Sequence, residues 1–411
     1  MRTTRVLLAP GCLALIAGVL SGPAHAATAV PCSTPALIAA ISTANTGGGD
    51  TLNLAPGCTY NLTTVDNTGP SGDDNGLPVV TQNIVINGNN AVIARSSVAL
   101  TPLFRFFEVG GPAGQLTLRQ LTLRNGHSNS RGGSVYVGSG RALTLDRTTV
   151  TDSIADNGGA LYSDGATVTA TSSALRNNRA ELNGGVIRSS GGAFTATGSS
   201  FTNNSAADFG GVVRNDGGTF TSTSSTFSQN SADYGGVAYT AGGAVNITGG
   251  SFANNAAVVE GGVIRNSGSG TVTASGTSFR SNTSDTDGGA LWNNGGTLTL
   301  RSSSLISNSV SGGPNPSRGG AIFNANGTLT VEGSSVVNNR ATGDEPQGAG
   351  IHNDNGTVTL NRSSVAANSA TAAPGGVWTS GGSFTLNSSS IISNTPTNCA
   401  GSPDIPAGCV N

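Results

Sequence analysis

The chain has 411 residues, of which 10% are charged and 62 are glycine, and its formal net charge is -2. Near-neutrality, with every one of the 19 basic residues an arginine, gives no reason to expect nucleic acid or an anionic membrane as partner. So few charges and so much glycine argue against an ordinary globular domain, and apolar residues recurring on a fixed period argue against disorder.

The first stretch, MRTTRVLLAPGCLALIAGVLSGPAHA, sets Arg2 and Arg5 ahead of an apolar run from Val6 to Leu20 and closes on Ala24-His25-Ala26. That order predicts a secretory signal peptide over residues 1–26, too short for a membrane span, which carries Cys12 away with it. No second apolar run of spanning length follows, so a secreted, extracellular protein is expected, free or held at a cell surface.

Residues 27–60 read as an N-terminal cap. Within STPALIAAISTANTGGG, Thr34 suits the helix N-cap, Pro35 the first turn, and Leu37, Ile38 and Ile41 one apolar face, with glycines as the stop. Residues 60–80, containing DNTGPSGDDNGLP, read as a loop leaving the first coils.

From there a repeat takes over. A double glycine starts at Gly132, Gly158, Gly184, Gly210, Gly235, Gly261, Gly288, Gly319 and Gly375, mostly at steps of 25–27 residues, with GAG at 348–350 as a variant. An alternating run keeps the same beat (VTA 168–170, FTS 220–222, LTL 298–300, FTL 384–386). So does an apolar residue followed three later by Asn, as in Phe201/Asn204, Phe227/Asn230, Phe252/Asn255 and Phe279/Asn282. Each repeat therefore carries three short strand signals separated by turn residues, with no room for a helix.

Such a period points to a solenoid. The expected fold is all-β: a right-handed parallel β-helix over residues 61–394, three strands per coil and roughly a dozen coils, with one inward apolar residue per strand. The recurrent Asn can stack amide on amide as in cross-β assemblies, and the glycine pairs suit a tight corner. Residues 395–411 form a C-terminal cap covering the last strand edges. Of the four cysteines left after export, Cys32 with Cys58 and Cys399 with Cys409 are expected to pair, because the ends of an elongated molecule cannot meet. The scattered histidines neighbour neither pair, so no metal site and no cofactor is expected.

The phrases GGAI (319–322) and FxxN (201–204, 227–230, 252–255, 279–282) resemble the polymorphic outer membrane protein repeat, within the right-handed β-helix class that also holds pectate lyases. The start, PCSTPALIAAISTAN…GDTLNLAPGCTYNL, is similar to the cap of secreted bacterial β-helix proteins. The resemblance covers nearly the whole mature chain and implies the fold, not an activity. No C-terminal run of alternating strands for a translocating barrel follows residue 384.

If the fourth position of each glycine phrase (Leu161, Ile187, Val213, Ile264, Leu291, Ile322, Ile351) points inward, the fifth points out. Down the rod the fifth positions read Tyr136, Tyr162, Arg188, Arg214, Tyr239, Arg265, Trp292, Phe323, His352 and Thr379. Arg and aromatic groups stack on flat ligands and grip carboxylate or sulfate, so Tyr162, Arg188, Arg214, Tyr239, Arg265, Trp292 and Phe323 are the candidate ligand-binding residues. Cross-strand packing among outward neighbours explains the same row without a ligand. Paired threonines on another face, such as Thr271/Thr273 and Thr297/Thr299, read as an ordinary solvated strand surface.

Acidic residues gather before the glycine pairs, at Asp156, Glu181, Asp208, Asp233, Glu260, Asp285 and Asp287, but their offsets drift and place no catalytic pair. The expected function is a monomeric, non-enzymatic, adhesin-like module binding polysaccharide or a cell-surface component along the Arg/aromatic face. A polysaccharide lyase or glycoside hydrolase, and a passive structural rod, are the alternatives.

Overall fold

The computed structural model describes residues 27–312 and 316–411, so the signal-peptide reading of residues 1–26 lies outside the described residues. The chain winds as a right-handed parallel β-helix of about 14 turns, with a single helix among the described residues. Its strands form ladders of 14, 13, 11 and 9, here sheets 1 to 4 in that order, each strand pairing with its counterpart one coil away. One coil runs Ile154–Asn157 in sheet 4, Leu161–Asp164 in sheet 3, Thr167–Thr171 in sheet 1 and Ala174–Arg176 in sheet 2.

Three of these ladders answer to the three strand signals per repeat. The fourth is built from short segments such as Arg179–Asn183 and Ser205–Ala206, between the FxxN asparagine and the glycine pair. Its members carry no apolar alternation of their own and are held by their neighbours' backbone, which is why the sequence pattern does not mark them.

Identical register makes like meet like in the core. Phe201, Phe227, Phe252 and Phe279 stack ring on ring with centroids 4.5–5.2 Å apart and planes within 20°. Such pairs add about 0.5–1.5 kcal/mol each beyond their burial. Where the coil turns from sheet 2 to sheet 4, Asn178, Asn204, Asn230, Asn255, Asn282, Asn308, Asn339, Asn368 and Asn394 form an internal amide ladder, each Nδ2 donating to the next Oδ1 at 2.9–3.0 Å. Between sheets 1 and 2 a serine ladder does the same work, with the Ser173 and Ser199 backbone N–H groups donating to the next serine hydroxyl at 3.1 Å. Between sheets 3 and 1, Asn266, Asn293, Asn324 and Asn353 are linked amide to amide at 2.7–2.8 Å. Every one of these corners turns around a buried polar column whose members bond to one another and to backbone carbonyls of the strands beside them.

The turn from sheet 4 to sheet 3 is the glycine pair. Gly210 sits at φ +69°, and a Cβ on Gly211 would strike the carbonyl oxygens of Ser231 and Gly236 in the next coil. Among the described residues nothing larger than the Ala349 methyl is found inside this corner, and the side chains on its two flanks converge outside it.

At the N-terminal end, helix α1 (Thr34–Thr46) lays Leu37, Ile41 and Ala44 on the first coils. Its N-cap is Ser33, whose hydroxyl accepts from Ala36 N at 3.3 Å, one residue earlier than expected. Thr34 instead donates to the Asn61 carbonyl at 3.0 Å, tying the cap to the coil beneath. Disulfides join Cys32 to Cys58 and Cys399 to Cys409, with Cα atoms 5.7 and 6.4 Å apart. The C-terminal tail lies along the last strand of sheet 3, the Asp404 N–H donating to the Thr379 carbonyl at 3.2 Å.

The asparagine ladder should be a point of concentrated stability. Replacing Asn230 by Ala removes the partner of the Asn204 N–H and of the Phe201 carbonyl's side-chain bond and leaves the Asn204 amide with its bond to Leu175 alone, at a cost of about 1–3 kcal/mol for each buried group left unpaired. Hydrogen exchange should accelerate in the coils around residues 200–255 and less elsewhere, since each coil contacts only its neighbours. Unchanged protection there would show the ladder to be incidental.

Candidate functional site

Strand register carries one position of sheet 3 through Tyr136, Tyr162, Arg188, Arg214, Tyr239, Arg265, Trp292, Phe323, His352 and Trp378. Trp378 replaces the expected Thr379. The corner before it is one residue shorter, so Thr379 turns inward and accepts from Asn353 at 3.1 Å. On the other flank of the glycine pair a second column runs Arg131, Asn157, Asn183, Phe209, Tyr234, Glu260, Asp287, Arg318 and Gln347.

The two columns interleave. Arg214 lies 4.5 Å from the Phe209 ring centroid and 4.6 Å from that of Tyr239, and Arg265 lies 4.2 Å from Trp292 and 5.2 Å from Tyr239. Beyond Trp292 the stack continues through Phe323, His352 and Trp378, with the last two rings 4.1 Å apart and 9° from parallel. Planar groups thus lie across the rod axis, each face covered by the group of the next coil. Tyr162 and Tyr239 are 8% exposed, Trp292 5% and Phe323 4%. All seven candidate binding residues are therefore brought into one column, but its interior rings offer solvent their edges and not the faces that would stack on a sugar. Each such cation–π contact is worth about 0.5–2 kcal/mol, so the column also packs the sheet.

The column supplies its own counter-charges. Arg265 donates to Glu260 at 2.6 Å, Arg318 grips Asp287 through two bonds at 2.9 and 2.7 Å, and Arg188 and Arg214 both bind Asp216 at 3.1 and 2.7 Å. Glu260 and Asp287 are register partners on adjacent coils, a pairing the drifting offsets in the sequence concealed. Their Cα atoms thus stand one strand step apart, ~4.8 Å. Burial is the main cause that lifts Asp287 above the usual carboxylate range, with Glu260 adding to it against the opposing pull of Arg318.

The loop expected to leave the first coils instead folds back over this corner. It carries a two-stranded hairpin, Asn67–Thr68 with Asp74–Asn75. Asp73 pairs with the fully buried Arg105 at 2.5 Å, Ser71 donates from its backbone and hydroxyl to buried Glu108 at 2.9 and 2.7 Å, and Arg131 donates to the Ser71 carbonyl at 2.8 Å. The strap closes the corner just before Tyr136. A separate shallow depression of about 570 Å³ lies on the serine-lined corner between sheets 1 and 2, near Ser303, Ser334 and Arg362.

No family model matches the chain, and no curated protein matches it. The likeness to the polymorphic outer membrane protein repeat therefore rests on its motifs alone. Three solved structures follow a similar path. The A-module of the mannuronan C-5 epimerase AlgE6 of Azotobacter vinelandii is 16% identical, covering 89% of this chain and 96% of its own at a TM-score of 0.42. The catalytic unit of a GH87 α-1,3-glucanase from Streptomyces thermodiastaticus is 14% identical, covering 90% and 69% at 0.43. PfbA, a surface adhesin of Streptococcus pneumoniae, is 12% identical, covering 87% of each chain at 0.41. At such identities the likeness concerns fold alone. No helix among the described residues is long and apolar enough to cross a membrane.

His352 gives the column a pH signature. It is 1% exposed, neither ring nitrogen has a well-formed hydrogen bond among the described residues, and burial, aided by Arg318 and only partly opposed by the Gln347 backbone, holds its pKa well below the ordinary 6.5. The unfolded chain takes a proton below pH ~6.5 that the folded one refuses, so stability should fall as pH drops through that value. His352→Phe should flatten the slope of melting temperature against pH in this window; an unaltered slope would remove His352 from the account.

Proposed function

We propose that this chain is an extracellular, non-enzymatic binding protein that holds an extended polysaccharide, or a similar cell-surface polymer, along the glycine-pair corner. The observation that carries this reading is the corner itself. It is a line of guanidinium groups, ring edges and amides, open to solvent chiefly at its arginines and repeated at one strand step from Tyr136 to Trp378. At ~4.8 Å per step the line is roughly 43 Å long, suited to a linear polymer and far longer than a small metabolite needs. The signal-peptide reading of residues 1–26 and the two disulfides support a partner outside the cell. The motif resemblance to a family of surface repeat proteins points the same way.

The register pairing of Glu260 with Asp287 favours a second reading, hydrolysis of a glycosidic bond. Retaining enzymes set two carboxyl groups ~5 Å apart, one of them protonated. Here each carboxylate is committed to an arginine, and Asp287 is nearly inaccessible, with 5% of its side chain exposed. Although burial raises the Asp287 carboxyl, it is sealed beneath Arg318 where a glycosidic oxygen cannot reach it, so binding is the better-supported function.

Both tryptophans of the chain, Trp292 and Trp378, belong to the column, which makes intrinsic fluorescence a local reporter. A polysaccharide found on a glycan array should shift tryptophan emission and shield Trp378 from acrylamide. Binding that leaves both unchanged would move the site off this corner. Sugar release that disappears in Glu260→Gln would replace the binding reading with the hydrolytic one.

A further inference from the structure

Resting on the binding reading above, we propose that the corner contains an oxyanion subsite at Arg188 and Arg214, fitted to the carboxylate or sulfate groups of an acidic polysaccharide. The two residues are Cα partners on adjacent strands of sheet 3, one strand step apart. Each is clamped on its inner side. Arg188 donates from Nε to Asp216 at 3.1 Å and from Nη1 to Asn157 at 2.8 Å. Arg214 donates from Nε to the other oxygen of Asp216 at 2.7 Å and from Nη1 to Asn183 at 3.2 Å. Among the described residues neither Nη2 has a protein partner, and neither is a buried unsatisfied nitrogen, so both amino groups meet solvent.

Charge sets this pair apart from the other ion-paired arginines of the corner. Arg265 and Arg318 each have a carboxylate to themselves, Glu260 and Asp287. Arg188 and Arg214 share one, which leaves a positive charge without its own partner. The groups around them do not supply it: Tyr162, Tyr239, Asn157, Asn183 and Phe209 are neutral, Asp164 lies two coils from Asp216 and accepts from the Tyr136 hydroxyl at 3.3 Å, Glu181 pairs with Arg179, and among the described residues Asp156 and Asp208 form no ion pair with either arginine. Two guanidinium groups fixed side by side, each with a free amino edge, match the oxygens of one carboxylate or sulfate. Because Asp216 and the two asparagines already fix the rotamers, an incoming anion orders little.

The test compares dextran sulfate, polygalacturonate and neutral dextran as probes on the full chain, with melting monitored by circular dichroism. Arg188→Gln/Arg214→Gln/Asp216→Asn removes both cations together with their shared anion, leaving no charge stranded. It should weaken acidic-chain binding roughly tenfold or more, the loss expected of a charge-assisted contact. Arg280→Gln, on the distant outer face of sheet 2, should leave binding unaltered. If the triple variant fails to fold, the wild type still decides: its affinity for the acidic chains should fall steeply with added salt. Equal binding of neutral and acidic chains, salt-independent binding, or a folded triple variant that binds as wild type would overturn the subsite while leaving the binding reading intact. Binding to none of the three probes overturns the subsite and leaves the wider reading to the glycan array and the tryptophans. The ratio between dextran sulfate and polygalacturonate tells which oxyanion the pair prefers.

Discussion

Coil-on-coil register is the constraint from which the rest of this structure follows. A parallel β-helix brings each residue against its own counterpart one turn later, so a side chain that bonds to its own kind can bond all the way down the rod. Asn is such a side chain, donor at one end and acceptor at the other, and the ladder from Asn178 to Asn394 uses both ends at every step. A one-residue slip anywhere would turn the inward set outward and break every column at once. Changes in repeat length are therefore absorbed outside the four ladders, as in the longer segment between Ala341 and Gln347, while Asn339 still donates to Asn368 at 2.9 Å.

The corners divide the work. Three turn around an inward polar side chain that satisfies backbone groups no strand can reach. The glycine corner bends the other way, has no interior to fill and gathers side chains outside. Planar groups are what a parallel register can stack there, and arginine serves as a planar group among rings as well as a charge. Glu260, Asp287 and Asp216 then offset the charge so that the column stands without a ligand. Whatever the protein holds, it must hold by edges and amino groups.

How much of this was legible in the sequence depends on whether a feature repeats in kind or only in place. The fold, the apolar inward positions, the FxxN asparagines and the two cysteine pairs repeat in kind or sit in plain view. The fourth ladder escaped because its members, such as Ser205–Ala206, share a place and no composition. The asparagines closing the phrases VRN, IRN, LWN and IFN were in view too. Their spacing alone does not tell an inward amide from a turn residue, and Asn266, Asn293 and Asn324 are buried and linked. The column was read correctly in membership up to His352, but whether its rings lie face-on or edge-on to solvent is set by the tilt between coils, which no spacing encodes.

Regularity also decides where specificity can reside. A column in which every cation owns one anion presents a polymer with the same surface at each step and would let it slide. Register can be fixed only where the repeat is broken, and the corner is broken in few places: the strap that closes it before Tyr136, the lone shared carboxylate at Asp216, and the adjacent acids Glu260 and Asp287. Of these, the acids are sealed by their own arginines and the strap is a wall. The Asp216 cluster combines a fixed geometry and unspent hydrogen-bonding capacity with one cation more than its shared carboxylate offsets. A chain lying in the corner would find its footing there, between Tyr162 and Tyr239, with the remaining steps adding contact area on either side.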